Sequence, residues 1–205
     1  MNAIRRRRLV VRILWIVAPV ALVAILQPWT IRPIEGSQAG AFDAGTFARS
    51  AWPRVVRDAR QRAVDVSELS VATGSRPATA RFLKGTGVVT AVDRQSRVGV
   101  LRVRVAGPRP ATVAIQIGPV IRGTAVRDAS PFIQFSDFTN QFDFAAAANA
   151  LNDHVLQAVI GPLPLDGLVG RTITFVGAIG KSPLREDGAI EMVPVQAALA
   201  EAAGS

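Results

Sequence analysis

The chain has 205 residues, 49% of them apolar and 19% charged, with no cysteine and a formal net charge of +9. The length suits one ordinary domain with extensions, and the composition excludes an intrinsically disordered chain, disulfides and thiolate metal sites. The charge does not make a polyanion clamp: Arg5, Arg6, Arg7, Arg8 and Arg12 precede the first acidic residue, Glu35, which leaves 19 basic against 15 acidic side chains in residues 28–205.

Behind the arginines, residues 9–26 read LVVRILWIVAPVALVAIL. A helix of that length, at about 1.5 Å per residue, comes close to the ~30 Å of a bilayer core. Arg12 sits near the basic end, where its stem lets the guanidinium reach the interface, and Trp15 and Trp29 suit the two interfacial belts. The arginine cluster puts the N-terminus in the cytoplasm and everything after the run in the periplasm. Residues 1–27 are therefore expected to be a basic tail and a single-pass inner-membrane anchor. A cleavable signal peptide is the rival, but the small-x-small motif Ala39-Gly40-Ala41 lies well beyond Leu26.

Residues 28–41, rich in Pro and Gly, read as a linker. In residues 42–80 an amphipathic helix is expected as a stalk or packing element. Phe47, Val55, Val56, Ala59 and Ala63 mark its apolar side, Arg54, Arg57, Arg60 and Arg62 occupy other positions, and Pro53 suits its first turn. The period then changes to two. Strands are expected at 85–92, 98–105 and 111–117, the first two joined by the hairpin loop DRQSR. Leu101, Val103 and Val105 should point inward and Arg102 and Arg104 outward, with Val113, Ile115 and Ile117 lining the inner face of the next strand. Gly85 and Gly87 read as a bend or bulge.

A helix over 140–160 carries the stripe Phe144, Ala148, Leu151, Val155 and Val159 and is capped by Asp137 or Thr139. Strands at 171–179 and 189–199 complete the set, and residues 200–205 are a tail. A mainly β chain with helices in this order predicts an OB-like five-stranded barrel over 81–199 with its helix between strands 3 and 4. It is preceded by the transmembrane and amphipathic helices. An open antiparallel sheet packed on one helix is the alternative.

The chemistry-bearing residues concentrate around residues 117–141, IGPVIRGTAVRDASPFIQFSDFTNQ. Gly118-Pro119 and Gly123 mark turns there, and Phe132, Phe135, Phe138 and Phe142 read as anchors onto the barrel. Asp93, Arg97, Arg122, Arg127, Asp128, Asp137, Asn140, Gln141, Asn149 and Asn152 form the candidate polar set, with Gln141, Asn149 and Asn152 on one side of the helix. They serve either as a structural network or as the lining of a pocket for a polar ligand. Asp128 and Asp137 are the pair that an exported hydrolase would need. No catalytic residue, metal ligand or cofactor is assigned: His154 is the only histidine, no G-x-S-x-G motif occurs, and neither GTGVV nor GPVIRG is a phosphate loop. Nucleic-acid binding is set aside, since the β region has no Tyr or Trp for base stacking.

From about residue 42 to residue 199 the chain resembles a bacterial family of predicted periplasmic lipoproteins of unknown function. The resemblance rests on WPRVVRDARQRAVD, GTGVVTAVDRQSRVGVLRV, IQIGPVIRGTAVRDASPFIQFSDFTNQ with ANALN, and GRTITFVGAI. It implies a role beside sugar ABC transporters, with a transporter subunit or a periplasmic binding protein as partner. The family label implies an acylated cysteine, which this sequence lacks, so the N-terminal helix would take over anchoring. The expected function is a membrane-anchored, non-enzymatic periplasmic accessory or binding protein. Direct binding of a sugar-like ligand at 118–141 is the alternative, and an exported hydrolase is third.

Overall fold

A computed structural model of the chain describes residues 42–68 and 79–200. The expected membrane anchor, the linker at 28–41 and the tail beyond residue 200 lie outside them. Among the described residues no helix is long and apolar enough to cross a membrane.

Helix α1 (Ala44–Arg62) starts at Asp43, whose carboxylate accepts from the Thr46 amide at 2.9 Å and the Thr46 hydroxyl at 2.6 Å. Those hydrogen bonds hold the Asp43 carboxyl below its usual range. Ala48, Ala51, Val55 and Ala59 are its buried face. The small residues let α1 lie close against its neighbours, whereas Phe47 and Val56 are only half-buried. Pro53 does not open the helix as expected; it lies inside it. The wheel there turns Pro53 outward, where it is exposed and its ring meets solvent. After Arg62 the chain forms the two-residue strand β1 (Val64–Asp65) and a short 3-10 turn, Val66–Glu68.

Five longer strands follow: β2 (Arg81–Asp93), β3 (Val100–Val105), β4 (Ala111–Gln116), β5 (Thr172–Ile179) and β6 (Ile190–Leu199). The sheet order is β1-β2-β3-β4-β6-β5, and β2 also pairs with β5, so the five long strands close into a barrel. That closure rules out the open sheet. It works because β2 is long enough to serve two partners, β5 along residues 81–88 and β3 along 88–93. β4 and β6 run parallel; the other barrel pairs are antiparallel.

Alternation carries the core. Leu101, Val103 and Val105 are buried while Arg102 is half-buried and Arg104 exposed; on β4 Val113 and Ile115 are buried, and so is Ile117 just beyond it. The β2–β3 register shifts between Val89 and Ala91, not at the glycines. Gly87 instead permits close approach, since a Cβ there would run into the carbonyl of Arg104. A second shift, between Val176 and Gly177 on the β5 side, falls beside Pro194 of β6, which has no amide to give the ladder.

Between β4 and β5 the chain forms the short helix α2 (Ala125–Ala129), a 3-10 turn at Phe135–Asp137, and helix α3 (Gln141–Val155), which runs on as a π turn over Leu156–Ile160. Asn140 caps α3, accepting from the Phe142 and Asp143 amides. Neither Asp137 nor Thr139 does so. Asp137 is committed one turn earlier, where it accepts from the Gln134 amide. Leu151, Val155 and Val159 are buried in the same core cluster that fills the barrel, Ala148 is buried too, and Phe144 is half-buried and packs against that cluster. The α1 and α3 helices pack together, with the Trp52 and His154 rings 4.7 Å apart.

Candidate functional site

The connection out of β4 is laid onto the barrel before it reaches α2. Ile117, Gly118 and Val120 donate their amides to the carbonyls of Gly99, Val98 and Arg97, so the β2–β3 loop holds the first residues of the stretch. Gly118 has φ +81° and follows the helix side so closely that a Cβ would strike the Leu156 side chain. Only glycine satisfies both demands. Its peptide bond to Pro119 is cis.

Gln116 then organises the turn. Its carboxamide accepts from the Arg122 amide at 2.7 Å and donates to the Arg122 carbonyl at 3.3 Å and to Glu191 of β6 at 3.1 Å. At 4% exposure the amide is buried, so these partners satisfy groups that would otherwise be orphaned. One residue on, Gly123 accepts from Asn152 of α3 at 2.9 Å. The connection is thus tied to a strand on one side and a helix on the other.

These constraints leave a cleft of about 360 Å³ between the connection and the chain that links β5 to β6. Gln116, Arg122, Asp128, Lys181, Ser182 and Glu191 contribute to its lining. A second hollow of about 520 Å³ shares Arg122 and Glu191 and adds Arg185 and Asp187. Strand register explains why the charges meet. Arg102 of β3 stands opposite Ala114 of β4, and Ala114 opposite Glu191 of β6, on one outward-facing rung. Above that rung the hairpin tip turns at Gly188, and Asp187 reaches down to Arg102. The Arg102 hydrogen bond, with a bond from the Ala189 amide, holds the Asp187 carboxyl below its usual range.

The ten residues of the candidate polar set do not form one group. Arg122 and Asp128 line the cleft. Arg127 lies behind it: its guanidinium donates to Asp128 Oδ1 at 2.9 and 2.7 Å and to the Phe144 carbonyl at 3.0 Å, and stacks on the Phe144 ring 3.7 Å away. Asn152 is buried and bonds Gly123, whereas Gln141 and Asn149 are exposed, so the expected amide edge contributes one member. Asp93 accepts from the Gln95 amide within the hairpin loop, and Arg97 takes part through its carbonyl; both side chains are exposed. Asn140 and Asp137 are caps. Asp137 does not line the cleft that holds Asp128, so the two are not opposed across it as a hydrolase pair would be.

The phenylalanines divide in the same way. Phe138 packs against Phe42, Phe47 and Phe144 with ring centroids 5.2–5.4 Å apart, and Phe132 carries the Arg54 guanidinium at 4.2 Å. Phe135 is 56% exposed but still sets its ring edge-on against Phe144 with centroids 5.4 Å apart, whereas Phe142, at 75% exposure, does not anchor the loop. Phe142 is the second residue of α3, on the side that the stripe leaves outward.

Sequence reasoning missed Gln116, Lys181, Arg185, Asp187 and Glu191. A signal for two of them was present: Gln116 and Glu191 are long polar residues set inside apolar strands, at positions facing away from the barrel interior. The other three belong to a turn that only the β5–β6 pairing brings over the β4 strand. A larger hollow of about 580 Å³ lies elsewhere, on the outer face of β2, β5 and β6. Its one lysine, Lys84, stands among Thr86, Thr174 and alanines; Asp65 is already bonded to Ser67 and Gln196 to Arg60. Fewer charged groups converge there, and size alone does not outweigh that. His154 lines neither hollow beside the connection, and burial lowers its pKa, with the charge of Arg49 adding to the effect. Among the described residues no cluster of His and acidic side chains is placed to hold a metal ion.

Comparison with known proteins agrees with this architecture. The model of the family described as predicted periplasmic lipoprotein (DUF2291) matches residues 19–198, and the chain belongs to that family. A solved OB-fold protein from Thermotoga maritima is similar over 78% of this chain and 100% of its own, with 18% identity and a TM-score of 0.59. That likeness shows the fold: a mainly β domain whose closed five-stranded barrel resembles an OB-fold. No curated protein matches the chain.

Proposed function

We propose, for a chain that belongs to a family of predicted periplasmic lipoproteins, that it is a non-enzymatic binding module held at the membrane. In this reading its barrel presents the cleft beside residues 117–128 to a small polar ligand and serves a sugar ABC transport system. One observation carries the ligand reading: a buried amide, Gln116, fixes the cleft wall while the charged groups of Arg122, Lys181 and Glu191 converge on its lining. A rigid wall with a few convergent polar groups is how small-molecule sites are built. On OB-folds in general, the sheet face and the loop between the last two strands are used for ligands, which supports the placement by analogy of fold. The transporter setting is supported by the family resemblance. Membrane attachment is supported by the apolar run at 9–26, since the 205 residues contain no cysteine to acylate.

A second reading, contact with a transporter subunit or periplasmic binding protein, is favoured by Phe135 and Phe142. Large aromatic side chains exposed near one another in sequence are the anchors that protein interfaces use. Photo-crosslinking from position 142 in intact membranes tests it. Recovery of a transporter component is expected, and the absence of any such product, with labelled ligand still bound by the chain, would leave only the ligand reading.

A further inference from the structure

The charges around the cleft favour one class of polar ligand. Four acidic side chains line it and the hollow beside it, and two are already neutralised. Asp128 accepts both bonds from Arg127, and Asp187 pairs with Arg102. Glu186 and Glu191 remain; Glu191 faces the Arg185 guanidinium at 3.6 Å while it accepts from Gln116. Against these two stand three cations. Arg122 and Lys181 make no ion pair among the described residues and are exposed at the mouth. Arg185 is half-buried, and its Nε is a buried donor with no acceptor; the nearest carboxylate oxygen, on Asp187, is 4.0 Å away, too far for a hydrogen bond. The two hollows share Arg122 and Glu191, and with the two paired carboxylates set aside their linings together carry a surplus of one positive charge.

We propose that this junction binds an oxyanion, a carboxylate or phosphate group carried by a small hydroxylated molecule. Guanidinium groups match such anions in geometry, and a buried N–H without a partner costs free energy that an incoming acceptor oxygen would recover. Ser182, exposed on the lining, supplies a neutral hydroxyl for a neighbouring hydroxyl of the ligand. The main chain of Arg122, not its side chain, bonds to Gln116, so the guanidinium is free to turn to the ligand without loosening the wall. The inference rests on the ligand reading above and narrows it to one charge class.

The test is calorimetry on the full chain in detergent, titrated with glucose 6-phosphate, glucuronate, inorganic phosphate and uncharged glucose. The anions should bind, bind more weakly as salt is raised, and lose about tenfold in affinity in each of Arg122→Gln and Lys181→Gln. Both side chains are exposed, so neither variant threatens folding, and circular dichroism checks this. Tighter binding of glucose 6-phosphate than of inorganic phosphate identifies an anion carried on a polyol. Equal binding identifies the free anion. Glucose binding as tightly as its phosphate, unaffected by the two variants, would overturn the oxyanion assignment and leave the ligand reading intact. Failure of every probe to bind would overturn both.

Discussion

At the scale of single residues, Arg127 shows how a polar side chain in this stretch is spent. Its side chain is 11% exposed, but Asp128 is 35% exposed and remains hydrated if the pair is broken. The cost of Arg127→Ala therefore falls on the Phe144 carbonyl and the lost stacking on the Phe144 ring, about 1–3 kcal/mol in all. Urea denaturation should show that loss, and Arg127→Lys should recover only part of it, because an ammonium cannot reach Asp128 and Phe144 while stacking. His154 gives a pH dependence of fixed sign. Burial beside Trp52 favours its neutral form, so the folded-state pKa is below the unfolded one. The stability that neutral His154 allows is complete above about pH 6.5 and is lost as pH falls through that value toward the lower folded pKa. Between pH 7.5 and 5.5 the wild-type chain should lose more stability than His154→Gln; equal losses would remove His154 as the cause.

At the scale of elements, what was legible in the sequence was periodicity. The alternation in VLRVRV put Leu101, Val103 and Val105 inside and the arginines outside, and the stripe of α3 placed Leu151 and Val155 correctly. Positions governed by capping and by partners distant in sequence were not legible. Asn140, Asp137 and Thr139 are all competent caps, and the choice depends on where the preceding 3-10 turn ends. Pro53 looked like a first-turn residue because nothing in its neighbourhood marked Asp43 as the cap nine residues earlier than such a start would need. Gly118 illustrates a demand made by two elements at once, a left-handed backbone at the end of β4 and a close approach to Leu156 after α3. Gly118→Ala should destabilise the domain by at least about 1 kcal/mol, seen as a lower Tm, and Leu156→Ala should not rescue it, since the positive φ persists. Full rescue would mean that the steric contact alone fixes glycine there.

At the scale of the whole molecule, barrel closure creates the candidate site. Pairing of β2 with β5 and of β4 with β6 brings the β5–β6 turn over the outer rung of β3, β4 and β6. Residues more than sixty positions apart, Gln116 and Glu191 among them, become neighbours by that step. The candidate stretch 117–141 was visible from its composition, but its partners across the cleft lie in a hairpin whose own sequence, KSPLREDG, reads only as a polar turn. Half of the site was therefore hidden until the strand order was known. The most direct test of the central claim, that this cleft is where the module binds, is amide chemical-shift mapping on the full chain during titration with glucose 6-phosphate. Shifts gathered on Gln116, Arg122, Gly123, Lys181, Arg185 and Glu191 are predicted; shifts gathered instead on Lys84, Thr86 and Thr174, around the larger hollow, would contradict it.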